Sequence, residues 1–122
     1  MMLIEAASAS AIAVCRIAWA EAMAALARRA REVPEDSPII DQIRSCLQAH
    51  WKSYAIVEIT QSLVKLAGEY ADTFALRGYD SVQLASARTL QEATSEPLFF
   101  ACFDKRLCNA AKALGMEVYF PA

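Results

Sequence analysis

Residues Leu76–Ala87 read L-R-G-Y-D-S-V-Q-L-A-S-A, and how this stretch divides decides the fold. Gly78 breaks the helical pattern before it, because glycine is a poor helix-interior residue. Asp80 then opens an Ala-rich helix that runs to about Thr94. The run D-S-V-Q fits a capping box, with Asp80 as the cap and Gln83 at its third position. Upstream, Tyr54–Ile59 (YAIVEI) is β-branched and reads as a strand, and Thr60 caps a helix to about Leu76. Downstream, Pro97 precedes an apolar strand, Leu98–Phe103, and Asp104 opens a helix that Gly115 ends. Met116–Phe120 (MEVYF) closes the chain as a strand.

Toward the N-terminus, Ala11–Cys15 (AIAVC) reads as a short buried strand. Ile17 to about Arg31 is helix-forming and ends in basic residues, which suit a helix C-terminus. Glu32–Pro38 is a polar loop. Ser37 as cap and Pro38 at the first helical position start a helix to about Trp51. Met1–Ser10 is expected to hold the end of a helix. Strands alternating with helices predict a three-layer α/β domain with a central parallel sheet flanked by helices. Ligands of such sheets bind beyond the carboxyl ends of the strands.

The chain has 122 residues, which fits one domain. Apolar residues make up 57% and charged residues 21%, so a packed core is expected and disorder is not. The formal net charge of -2 gives no overall attraction to nucleic acid, so RNA would need a local basic patch. No apolar stretch is long enough to span a bilayer, and the start Met1-Met2-Leu3-Ile4-Glu5 lacks the positive region of a signal peptide. A cytoplasmic location is therefore expected. The four cysteines, at 15, 46, 102 and 108, form no close pair, and all four are expected to be reduced. Three lie in apolar segments and read as small core residues. There is no P-loop, G-x-G-x-x-G or Ser-His-Asp order, and His50 reads as a surface or cap residue.

Three acids fall where the sheet rule puts ligands. Glu21 is the only charged residue between Ile17 and Ala27, about one turn beyond the first buried strand. A half-buried carboxylate there is costly unless paired or bound to a cation, although a narrow solvated stripe would also accommodate it. Asp104 directly follows an apolar strand, and Asp80 opens a helix. Either could be only a cap, yet a carboxylate has lone pairs for both roles. Three converging carboxylates would suit Mg²⁺ or Mn²⁺, which prefer hard oxygen ligands and can activate water for attack on a phosphoryl group. Arg28, Arg29 and Arg31 form the only dense basic cluster, read as complementing a helix dipole or contacting RNA phosphate. Arg77, three residues before Asp80, could reach a phosphate, pair with a site acid, or simply be solvated. Trp19, Met23 and Leu26 recur at helical spacing and form a packing face, within the chain or against a partner.

Three segments, in order, resemble motifs of the PIN-domain family, whose toxin branch comprises the VapC ribonucleases. Val14–Leu26 (V-C-R-I-A-W-A-E-A-M-A-A-L) looks like the second-acid motif. Leu76–Ala87 resembles the third-acid motif. F-D-K-R-L (Phe103–Leu107) followed by A-A-K-A-L-G (Ala110–Gly115) is similar to the closing motif. The resemblance covers roughly residues 11–120. It implies that Glu21, Asp80 and Asp104 are catalytic, metal-binding acids, and that the activity is Mg²⁺- or Mn²⁺-dependent cleavage of RNA. It further implies a small antitoxin partner and a homodimer. That family begins with a strand ending in an Asp, and no Asp precedes Ala11 here. Glu5, placed in the expected helix end, is not assigned that role. The expectation is a single PIN-like domain, 1–122, lacking its central first strand, with upstream sequence supplying the missing acid. A catalytically inactive PIN-like protein-binding module is the alternative, and acids that serve only as caps in another α/β domain are the third.

Overall fold

The computed structural model describes residues 3–6, 12–95, 97–102 and 104–119. Strands β1 (Leu3–Ala6) and β2 (Ile12–Cys15) are followed by helix α1 (Ala18–Glu32) and, after a 3-10 turn at Pro34–Asp36, by α2 (Ser37–Trp51). Then come β3 (Ala55–Val57), α3 (Gln61–Phe74), α4 (Gly78–Ala93), β4 (Leu98–Ala101), α5 (Lys105–Ala113) and β5 (Glu117–Tyr119). The five strands form one sheet in the order β3-β2-β1-β4-β5. The α/β class and the alternation of strands and helices are as expected from the sequence.

The outer pairs β2/β3 and β4/β5 are parallel, also as expected. The centre of the sheet departs from expectation. Leu3–Ala6 is a strand rather than the end of a helix, and it occupies the central place that was expected to be missing. The rest of Met1–Ser10 lies outside the described residues. β1 runs antiparallel to both neighbours, pairing Ile4 with Ala13 on one side and with Phe100 on the other. The facing edges of β2 and β4 carry backbone groups that need partners. Only positions 7–11 separate β1 from β2. That connection is too short for the crossover of a dozen or more residues a parallel pair requires, so antiparallel pairing is the available solution.

The core lies between the sheet and α4 and α5. Val14, Cys15, Leu84, Phe100 and Ala111 are buried there. β4 buries Leu98 and Phe100 and half-buries Phe99 and Ala101, so both faces of the strand are covered, as an α/β sheet demands. A smaller cluster of Leu63, Ala67 and Ala85 joins α3 to α4. Trp19, one residue of the expected packing face of α1, lies edge-on to Trp51 of α2, their ring centroids 5.1 Å apart.

Helix ends show where short-range chemistry succeeded. Thr60 caps α3 by accepting from the Leu63 amide at 3.1 Å. Gly115, at φ +84°, sits at the C′ position of α5. Its amide donates to the Lys112 carbonyl at 2.9 Å and that of Met116 to Ala111 at 3.1 Å, a complete Schellman ending. Other helix ends depart from expectation. Ser37 is the first residue of α2, and Asp36, not Ser37, stands at its N-cap. Gly78 is the first residue of α4, and the break is made by Ala75, in left-handed conformation at φ 55°. Asp80 consequently lies inside the first turn, and the capping box with Gln83 does not form. Cys102 and Cys108 are also not reduced thiols but a disulfide. The tight turn at Asp104 folds the start of α5 back toward the end of β4 and leaves their Cα atoms 6.3 Å apart, within bridging distance. Cys15 and Cys46 are free, as expected.

Candidate functional site

Because β2 and β4 are both antiparallel to β1, they point the same way, and their carboxyl ends share one rim of the sheet. α1 starts just after β2 and carries Glu21 in its first turn. α5 starts just after β4 with Asp104 as its cap. Asp80 lies in the first turn of α4. Three helix N-termini thus present a carboxylate each, an arrangement their dipoles favour.

Glu21, Asp80 and Asp104 line one cavity of about 180 Å³, together with Arg77, Tyr79, Gln83, Cys102 and Leu107. Glu21 is half-buried, and its Oε2 accepts a hydrogen bond from Nε2 of Gln83. Its Oε1 is buried without a hydrogen-bond partner. Burial pushes the Glu21 carboxyl above its ordinary range; the nearby Asp80 carboxylate adds to this and the Gln83 amide opposes it. Burial likewise raises Asp80, with the Asp104 carboxylate adding and the Arg77 guanidinium opposing. Asp104 spends one oxygen on its cap, accepting from the Leu107 amide at 3.1 Å. Asp80 therefore stands between two like charges, a charge pattern that a cation would relieve.

A second, open cavity of about 840 Å³ continues from the first and shares Arg77, Asp80 and Asp104 with it. Lys105, Arg106 and Asn109 of α5 line it opposite Ala75 and Leu76. Arg106 Nη1 donates to the Ala75 carbonyl at 3.1 Å and so ties α5 to the turn that carries Arg77 and Asp80.

Of the residues singled out in the sequence, Glu21, Asp80, Asp104 and Arg77 come together. Arg28 and Arg29 do not: they lie at the far end of α1 and line neither cavity. Arg29 is instead paired with Asp36, Nε to Oδ2 at 3.0 Å. Sequence reading missed Lys105, Arg106 and Asn109, although the first two directly follow Asp104 and share its rim. It also read Gln83 as part of a cap, whereas its position three residues after Asp80 puts both on one helix face.

The donor set is all oxygen, as Mg²⁺ or Mn²⁺ prefers, and the orphaned Glu21 Oε1 is an acceptor that a cation would satisfy. Among the described residues, no group of three His, Cys, Asp or Glu side chains is arranged to hold a metal ion. The carboxylates share the cavity, and Mg²⁺, which retains several waters, does not require all of its ligands from protein.

An α/β domain with an acid-lined cavity at the carboxyl rim of its sheet is consistent with a PIN-like fold. No family profile matches the chain, and no solved structure matches it. Two curated proteins do: Ribonuclease VapC45 of Mycobacterium tuberculosis (strain CDC 1551 / Oshkosh) and Ribonuclease VapC49 of Mycobacterium tuberculosis (strain ATCC 25618 / H37Rv). Each is 38% identical over 105 residues, which is 84% of this chain and 69% of the relative. The chain belongs to the VapC ribonuclease family.

Proposed function

We propose that this protein is a metal-dependent endoribonuclease of the VapC type, with a PIN domain, that hydrolyses RNA phosphodiesters. The observation that carries this reading is the convergence of Glu21, Asp80 and Asp104 on one cavity from three separate helices. These acids hold Mg²⁺ or Mn²⁺. The ion, when bound, supplies Lewis-acid stabilisation of the phosphoryl charge and lowers the pKa of water. The protein's own groups do the rest. Arg77, at the junction of the two cavities, orients the scissile phosphate. Lys105, Arg106 and Asn109 hold the neighbouring phosphates of a single strand in the open cavity. Family kinship supports RNA as the substrate, a small antitoxin as protein partner, a second copy of the chain as dimer mate and the cytoplasm as the compartment. Among the described residues no helix is long and apolar enough to cross a membrane.

The test is cleavage of single-stranded RNA with Mn²⁺ by the protein and by its Asp80→Asn, Asp104→Asn double variant. Loss of cleavage in the variant is expected, and equal cleavage by both would overturn the reading. A second reading, a catalytically inactive PIN-like protein-binding module, draws on the lack of a ready three-ligand group among the described residues. Mn²⁺ titration separates the two, because the binding module would take up no ion at Asp104.

A further inference from the structure

Gln83 is buried, only 4% exposed, on α4, whose other buried residues, Ser81, Leu84, Ala85, Ser86 and Ala87, are small or apolar. Burying a primary amide is costly unless its donors are used. Its Nε2 reaches across to Glu21 Oε2 on α1, sixty-two positions away in sequence. Adhesion between the two helices would be served as well by an apolar pair, since buried polar pairs seldom beat apolar packing. What the amide adds is direction. It holds Glu21 by one oxygen and leaves the other, Oε1, buried and without a partner. Asp80 lies on the same face of the same helix as Gln83, so the hydrogen bond also fixes Glu21 relative to Asp80.

We propose that Gln83 is a positioning residue, whose hydrogen bond to Glu21 Oε2 aims Oε1 at the cation held with Asp80 and Asp104. The inference rests on the metal-site reading above and adds a residue that reading does not use. A positioning amide behind a ligating carboxylate acts on affinity and geometry and makes no contact with substrate.

The test pairs two measurements on the full chain, wild type and Gln83→Met, a variant of similar length without a donor. Gln83→Leu substitutes if the first folds poorly, and Gln83→His, which restores an N–H, serves as the rescue. Crystal structures without metal come first. The Glu21 carboxylate is expected to leave its wild-type position in Gln83→Met and to return in Gln83→His. An unmoved carboxylate in Gln83→Met overturns the proposal whatever the metal does. Mn²⁺ binding by calorimetry comes second. About tenfold weaker binding is expected for Gln83→Met, with recovery in Gln83→His. Wild-type affinity in Gln83→Met also overturns the proposal. A wild-type chain with a displaced carboxylate in Gln83→Met but no Mn²⁺ binding of its own overturns the metal-site reading, and with it the purpose assigned to Gln83.

Discussion

The two adjoining cavities share the starts of α4 and α5 yet have opposite character. The smaller is acidic and partly buried, and its carboxyl groups crowd one another. The larger is open, and its cations stand on the first turn of α5, just beyond Asp104. A phosphate would be repelled by the first alone and held only loosely by the second. Placed side by side, with Arg77, Asp80 and Asp104 at their junction, they would under the proposed function separate two tasks: the acids to concentrate a cation, and the basic wall to carry the polyanion past it.

The largest effect that could break this division is loss of cleavage. Removing the charges of Asp80 and Asp104 together is expected to reduce RNA hydrolysis by about 10²–10³-fold, measured as initial rates in Mn²⁺. RNA affinity at fixed ionic strength should change far less, and a parallel fall in binding would mean that the acids do not act separately from the basic wall. Next in size is the effect of the basic wall itself. Lys105→Ala with Arg106→Ala should weaken single-stranded RNA binding about tenfold and flatten the dependence of log K on log salt by about 1.4, that is, about 0.7 for each cation lost. An unchanged salt slope would place the RNA elsewhere.

A smaller effect concerns stability. Glu21 and Asp80 both have raised pKa values when metal is absent, so the folded state favours their protonated forms. Their contribution to stability is therefore best below the ordinary carboxylate range and declines as pH rises through it. Glu21→Gln should match wild type near pH 4 and exceed it in Tm by about 3 °C at pH 7 in chelator, as read by scanning calorimetry. Adding Mn²⁺ at a hundred times its Kd should stabilise the wild type by about 2.7 kcal/mol and reverse that order. The smallest effect is expected at Arg28 and Arg29. Alanine at both should alter RNA affinity less than about twofold, because exposed ion pairs such as Arg29–Asp36 contribute little and neither residue lines the two cavities described above.

Local signals in the sequence were strong where a single residue does a local job. Thr60, Asp104 and Gly115 each end or begin a helix as read, because caps are settled by side chain and backbone within a few residues. The Asp80 reading failed for the opposite reason. D-S-V-Q satisfies a capping box on paper, but Gln83 found a partner on α1 that no window around Asp80 contains. The basic lining was missed because Arg28–Arg31 is denser in sequence, while proximity to the acids belongs to Lys105 and Arg106. The disulfide was missed because pairing of Cys102 with Cys108 depends on how sharply the chain turns at Asp104.

By itself the sequence determined the alternation of strands and helices, the α/β class and the short list of acids, since hydrophobic periodicity and turn residues act over a few positions. Tertiary structure alone decided three things: that Leu3–Ala6 enters the middle of the sheet in reverse, that Gln83 grips Glu21, and that the three carboxylates share one cavity. Each of these joins segments far apart along the chain. Strand direction there follows from connection length and unfilled backbone hydrogen bonds, and the meeting of the acids follows from which ends of β2 and β4 lie on the same rim.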